Sequence, residues 1–316
     1  MNRNVYFVCR IQQLGQSFHS PDHLFANQKI LNMSTVFITG TSTGIGYTTA
    51  LALARAGYNV IATMRNPQRA PELQKVVDSE DLPVQIIPLD VDDETSVTAA
   101  FKEAFEKVKT IDVLINNAGI GWWGAIEDTP ISDYKQIMET NFFGVIRCIQ
   151  AVLPHMRENK SGRIINISSV AGRLSGGAQS AYCSSKWALE ALSDSLAQEV
   201  RAFNIDVNLV EPGIIKTPII DKLDTQRKES LYPHEKRLNR VFDAAMKSPV
   251  EPDIVADKIL NIIESPHNSI RHPVGPDAQP YIDWRNSVSD EKWAEMGAQS
   301  DEEWESMMRD GFGIPV

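Results

Sequence analysis

The chain has 316 residues, 42% hydrophobic and 23% charged. That is the composition of an ordinary soluble globular protein, with room for one large domain or two small ones. A formal net charge of −10 argues against nucleic-acid binding, whose footprint is basic, and fits plain solubility. Three cysteines, Cys9, Cys148 and Cys183, form neither a CxxC pair nor a His/Cys set with zinc spacing, so no structural disulfide and no metal site are expected. A reducing, cytoplasmic setting follows. No apolar run approaches the roughly 20 residues of a membrane helix.

Residues 1–33 stand apart, mixing Arg3, Arg10, His19, Pro21 and His23 without a sustained period before Met33. They read as a leader outside the fold. A mitochondrial transit peptide is the sharper alternative, because two arginines precede any acid. From Ser34, strands and helices alternate. Val36–Ile38 is a strand ending at Thr39-Gly40, and Ile45–Ala56 a helix stopped by Gly57. Strands follow at Val60–Ala62 and Val84–Leu89. Val97–Val108 places Val97, Ala100, Phe101, Ala104, Phe105 and Val108 on one helical face. Asp112–Ile115 is a strand, 134–156 one long helix, 163–167 a strand, 181–203 a helix and 206–210 a strand. Strands apolar on both faces and separated by helices predict a doubly wound parallel sheet in an α/β fold, with ligands at the carboxyl strand ends. The domain is drawn as 34–280. Residues 281–316 form an acidic extension holding Trp284, Trp293 and Trp304, read as one or two short amphipathic helices packed on the domain or offered as an interaction surface.

Gly40-Thr41-Ser42-Thr43-Gly44-Ile45-Gly46 follows the first strand and opens the first helix. Glycines permit a sharp turn and close backbone approach, and the free amides of a helix start suit a pyrophosphate. The spacing is GxxxGxG, distinct from the commoner GxGxxG. Tyr182 and Lys186, four apart on a predicted helix, share a face. A phenol titrates near 10 in model peptides, and a nearby ammonium would lower it, making the pair a candidate proton carrier. Ser169 ends the strand Ile164–Ile167, on the side where ligands bind.

These motifs, with LDV at 89–91, NNAG at 116–119, ISS at 167–169, YCSSK at 182–186 and PGIIKT at 212–217, resemble the short-chain dehydrogenase/reductase family over residues 34–275. VIATMRN and PVGPDA are similar to its branch acting on steroids, retinoids and other lipophilic alcohols and ketones. The resemblance implies a single Rossmann-like domain of about seven parallel strands. It implies an oxidoreductase moving a hydride between nicotinamide and a small, lipophilic carbonyl or alcohol. It implies a homodimer or homotetramer paired through the helices around Asn141 and Ala188, where Ala188, Leu189, Ala191, Leu192, Leu196 and Ala197 exceed what one sheet face needs. The substrate loop and helices would run from Pro218 to about Ser248, where Ile219, Ile220, Phe242 and Met246 suit an apolar pocket, and Trp122-Trp123 reads as packing or as a wall of that pocket. The resemblance assigns acid/base chemistry to Tyr182 and Lys186, the substrate oxygen to Ser169, and a water-linked relay to Asn141, whose other reading is a core hydrogen bond. It places Asp90 and Val91 near the adenine, Asn117, Ala118 and Gly119 beside the cofactor, and Pro212, Gly213, Ile215 and Thr217 around the nicotinamide and pyrophosphate. Asp90 reads equally as a helix cap. Asn116 would support the sheet centre. The position that bonds ribose hydroxyls through an acid in NAD-preferring folds holds Met64, followed by Arg65. NADP(H) is therefore the expected cofactor, unless Arg65 is simply a solvated charge. The alternative to an enzyme is a non-catalytic NADP(H)-binding regulator, which the complete catalytic set disfavours.

Overall fold

A computed structural model describes residues 35–220, 230–265 and 269–316. The leader and part of the segment after Pro218 lie outside the described residues. Seven strands form one all-parallel sheet in the order β3-β2-β1-β4-β5-β6-β7. They are β1 Thr35–Thr39, β2 Asn59–Met64, β3 Val84–Pro88, β4 Val113–Asn116, β5 Gly162–Ile167, β6 Ile205–Pro212 and β7 Arg271–Val274. The helices are α1 Gly44–Arg55, α2 Glu72–Glu80, α3 Glu94–Lys107, α4 Ile131–Met138, α5 Gly144–Asn159, α6 Ser180–Val200, α7 His234–Met246, α8 Asp253–Glu264, α9 Ala278–Ser287, α10 Asp290–Met296 and α11 Asp301–Phe312.

Alternation along β1 shows why the sheet is covered twice. Phe37 points to one face, where it stacks on Phe101 of α3 at 4.3 Å and joins a core with α5 and α6. Val36 and Ile38 point to the other, which α1, α2 and α8 close. With both faces covered, β1 is buried at every position, the pattern of a parallel sheet. The chain moves outward from β1 through β2 to β3, then returns to β4 on the other side. The loops after β1 and β4 therefore part at the carboxyl end of the sheet, leaving a crevice.

The helix expected over 134–156 is interrupted. A π turn spans Glu139–Phe143 between α4 and α5. Asn141 explains its place: the carboxamide donates to the Ile120 carbonyl (3.0 Å) and to Ser185 Oγ (3.0 Å), and accepts from the Ile120 amide (2.9 Å). A widened turn at a function-bearing helix is a recurrent arrangement. Asp90 does not cap the following helix. Asp93 does, accepting from the Thr95 and Ser96 amides, while Asp90 Oδ1 accepts from the Asp92 amide. Helix α9 runs through position 280, so the extension begins inside a helix, and it carries α10 and α11 beyond it. No helix among the described residues is long and apolar enough to cross a membrane.

Candidate active site

The glycine loop leaves β1 with Gly40 at φ +72° and enters α1 with Gly44 at φ +60°, backbone conformations open to glycine and strained for other residues. A Cβ on Gly40 would lie 2.7 Å from the Ala118 Cα, so the β1 and β4 loops touch backbone to backbone. Thr39 Oγ1 accepts from the Asn117 and Ala118 amides, both at 3.0 Å, and Asn117 Nδ2 donates to the Thr39 and Gly40 carbonyls at 2.8 and 3.0 Å. These bonds pin the two loops at the crevice floor. Thr43, the N-cap of α1, makes no side-chain cap, so the first amides of α1 face outward with the positive end of the helix dipole. This is a cradle with room for an anion, and its glycines keep that room.

Gly46 lies beneath the loop. A Cβ there would come 2.4 Å from both the Gly40 carbonyl oxygen and Asn117 Nδ2. Gly46→Ala is expected to push the loop out of register and weaken dinucleotide binding at least about tenfold, a loss of roughly 1.4 kcal/mol. Fluorescence titration with the reduced dinucleotide checks this, alongside thermal unfolding. Wild-type affinity in a folded variant would mean the loop is not the cradle.

The second half of the crevice is built by β5, α6 and the loop after β6. Ser169 caps a short 3-10 turn through the Ala171 amide (3.1 Å) and donates to the Pro212 carbonyl (3.4 Å), beside Tyr182 in the crevice lining. Lys186, 6% exposed, donates to the Ile167 carbonyl at 2.8 Å, with its ammonium 5.7 Å from the Tyr182 ring centre. Burial pushes the phenol up to about 12, with the Ser169 hydroxyl pulling the other way. Burial pulls the Lys186 ammonium down to about 8, opposed by the Glu190 carboxylate. The expected lowering of the phenol by the lysine is not what this geometry gives. The ammonium sits over the ring bound to a carbonyl, and desolvation of the hydroxyl dominates.

The lining of the crevice includes Gly40, Ser42, Thr43, Gly44, Ile45, Arg65, Asp90, Val91, Asn117, Ala118, Gly119, Ser169, Tyr182, Lys186, Pro212, Gly213, Ile215 and Thr217. Three residues singled out from the sequence lie behind it. Thr41 turns its hydroxyl to the Thr63 carbonyl, Gly46 packs under the loop, and Asn141 is buried with its side chain committed to Ile120 and Ser185. Asn116 bonds Asn166 at 2.8 Å between β4 and β5. Ile219, Ile220 and Phe242, expected within the substrate segment, also line the crevice, and so do Leu174 and Gln179, which sequence reasoning missed. They carry no motif and arrive by tertiary packing. Of the adjacent tryptophans, Trp123 is the wall: its ring meets Tyr182 at 5.2 Å and Phe242 at 5.3 Å. Ile220, Ile219, Leu238 and Met246 extend that apolar cluster.

A doubly wound sheet with a glycine cradle at its carboxyl edge is an architecture that nicotinamide-dependent oxidoreductases share with other nucleotide-binding proteins. The short chain dehydrogenase family pattern matches residues 34–228, and the chain belongs to that family. It is 36% identical over 271 residues to oxidoreductase BOA17 of Botryotinia fuckeliana, covering 84% of this chain and 98% of that one. It is 31% identical over 259 residues to mouse 17-beta-hydroxysteroid dehydrogenase type 1, covering 77% and 74%. The crystal structure of a short-chain dehydrogenase from Streptomyces avermitilis matches with a TM-score of 0.73 at 30% identity, over 86% of this chain and 100% of that one.

Proposed function

We propose that the protein is an NADP(H)-dependent oxidoreductase of lipophilic carbonyls and alcohols, with Tyr182 as the proton carrier. The observation that supports it best is the Trp123–Tyr182–Phe242 contact. It sets the one phenol of the crevice at the border between a polar floor and an apolar wall, the make-up of a site that binds small apolar molecules and orients them by a few polar groups. The residues fit a nicotinamide dinucleotide: a glycine cradle at an uncapped helix start, small residues at 118 and 119, and an exposed arginine at the second strand's end. A bound nicotinamide supplies hydride exchange with the carbonyl carbon.

The chain supplies the rest. Ser169 orients the substrate oxygen toward the phenol. Tyr182, protonated at neutral pH, donates its proton to that oxygen during reduction. Lys186 holds a cation beneath the ring, and Glu190 keeps that cation charged despite its burial. Asn141 fixes Ile120, and through it the loop after β4. Trp123, Phe242 and Ile220 exclude water from the reacting atoms. The experiment is NADPH oxidation by purified protein against a panel of ketones from cyclohexanone to steroid ketones. Turnover rising with apolar size supports the reading, and no turnover of any member would refute it.

The protein is also proposed to self-associate as a homodimer or homotetramer. Leu189 and Leu196, suspected from the sequence as interface residues, are 1% and 5% exposed within their own core. Trp187 and Phe143, 48% and 45% exposed, with the exposed Ala191 and the half-buried Ala188, Leu192 and Ala197, are apolar groups available to a partner copy. Light scattering at micromolar concentration is expected to give a multiple of the chain mass, and a monomer would count against it.

A further inference from the structure

We infer that the C-terminal helices are a specificity element: α11 clasps the back of α7 and so fixes the apolar wall that faces Tyr182. The inference rests on the reading of the crevice as a lipophilic-substrate site.

The sequence of α7 divides the helix into two faces. Leu238, Phe242 and Met246 recur at four-residue spacing, and Arg237 and Arg240 lie opposite. The first face joins Trp123 and Tyr182 in the apolar cluster. The second meets the C-terminal extension. Arg237, 6% exposed, donates from Nε to Asp301 Oδ1 at 2.8 Å and from Nη2 to the Gln299 carbonyl at 2.7 Å. Arg240 donates to Glu305 at 2.7 Å. Between them lies the Trp304 ring, 5.7 Å from the Arg237 guanidinium and 5.3 Å from that of Arg240, within cation–π range. Trp304 is 8% exposed. The clasp thus covers a whole turn of α7, on the side away from the crevice.

The same extension reaches two further walls. Trp293 Nε1 donates to the Ser175 carbonyl at 3.1 Å, on the loop that brings Leu174 and Gln179 to the crevice, and the Arg285 guanidinium lies 4.9 Å over the Trp293 ring. Asp277, at the head of α9, accepts from the Ile214 amide at 2.8 Å, and Ile214 lines the crevice. One continuous segment, 277–305, therefore touches the backs of three walls without entering the crevice. Residues of this kind act through position. Shifting α7 by a fraction of a side chain changes where Phe242 stops a bulky substrate, while Ser169, Tyr182 and Lys186 stand on other elements.

The test uses the full chain. Trp304→Ala empties the clasp. It is expected to change the ratio of kcat/KM for a steroid ketone to that for cyclohexanone by about tenfold, the scale on which apolar pockets discriminate. Dinucleotide affinity by fluorescence titration and kcat on cyclohexanone should stay within about twofold. An unchanged ratio would overturn the inference. Should Trp304→Ala not fold, Glu305→Gln loosens only the Arg240 contact, and an unchanged ratio there overturns it as well. A wild type that reduces no ketone refutes the proposed function instead. Binding of the apolar dye 1-anilinonaphthalene-8-sulfonate then decides, because equal dye affinity in wild type and variant would show that the clasp does not set the wall.

Discussion

Tyr182→Phe is expected to lower turnover by about 10²–10⁴-fold, the contribution of a positioned general acid, and to leave dinucleotide affinity near wild type. The substitution keeps the ring that packs on Trp123 at 5.2 Å and deletes only the hydroxyl. The wall stays intact, so the loss reads the proton alone. Burial holds the phenol at about 12, so at neutral pH it carries its proton and is poised as an acid. Reduction consumes that proton. Its rate should therefore fall as pH rises through about 8, where Lys186 loses its charge. Both titrations act in the same direction, since one removes the proton that reduction consumes and the other the cation beside the phenol. Steady-state ketone reduction from pH 6 to 10, with wild type and variant, checks both statements. A phenylalanine variant keeping more than about a tenth of the activity would assign the acid to another group.

Six strands were legible through short runs rich in Val, Ile and Leu, which in β1, β2 and β4 are apolar on both faces as a sheet covered twice requires. The seventh was not. Arg271-His272-Pro273-Val274 is short, mostly polar and proline-bearing, which suits a strand at the sheet's edge and gives no periodic signal. Helix α2 buries only Leu73 and Val77, too few to announce it. The π turn was invisible for a different reason. Tyr134 to Met156 has continuous helical periodicity, and what widens it is the bonding of Asn141 to Ile120, a contact set by the tertiary fold. The polar side of the site was legible through chemistry at fixed spacing, as in the glycine loop and the Tyr182/Lys186 pair. The apolar wall was legible only as a segment, through the apolar residues between Pro218 and Ser248 and the Trp122-Trp123 pair, while Leu174 and Gln179 differ from ordinary loop residues only in what they come to face. On α6 the apolar excess divides between two surroundings: Leu189 and Leu196 belong to the core, while Ala191 is exposed and Ala188, Leu192 and Ala197 are half-buried, a split that apolar content alone does not reveal.

Arg65→Ala is expected to raise the KM for NADPH about tenfold to a hundredfold and to leave that for NADH almost unchanged. Arg65 is exposed at the end of β2 and lines the crevice beside the glycine loop. Among the described residues it forms no ion pair, so its guanidinium is free to take a phosphate through two parallel donors. A hydrogen bond to a charged group contributes roughly 1.5–3 kcal/mol, and each 1.4 kcal/mol is about a factor of ten. NADH lacks the phosphate, so the variant should not distinguish itself from wild type with that cofactor. Thr43, the neutral loop residue across the cradle, supplies no second cation, which keeps the expected effect on one side chain. The neighbouring position is a poorer probe. Met64 is 3% exposed, and Met64→Asp would bury a carboxylate whose desolvation costs stability whatever the cofactor. Arg65 carries no such penalty, because its removal leaves only solvent. Steady-state kinetics with both dinucleotides, at one saturating ketone concentration, separates the outcomes. A wild type that prefers NADH, or a variant impaired equally with both, would show that Arg65 is an ordinary surface charge and that the second strand's end does not select the phosphate.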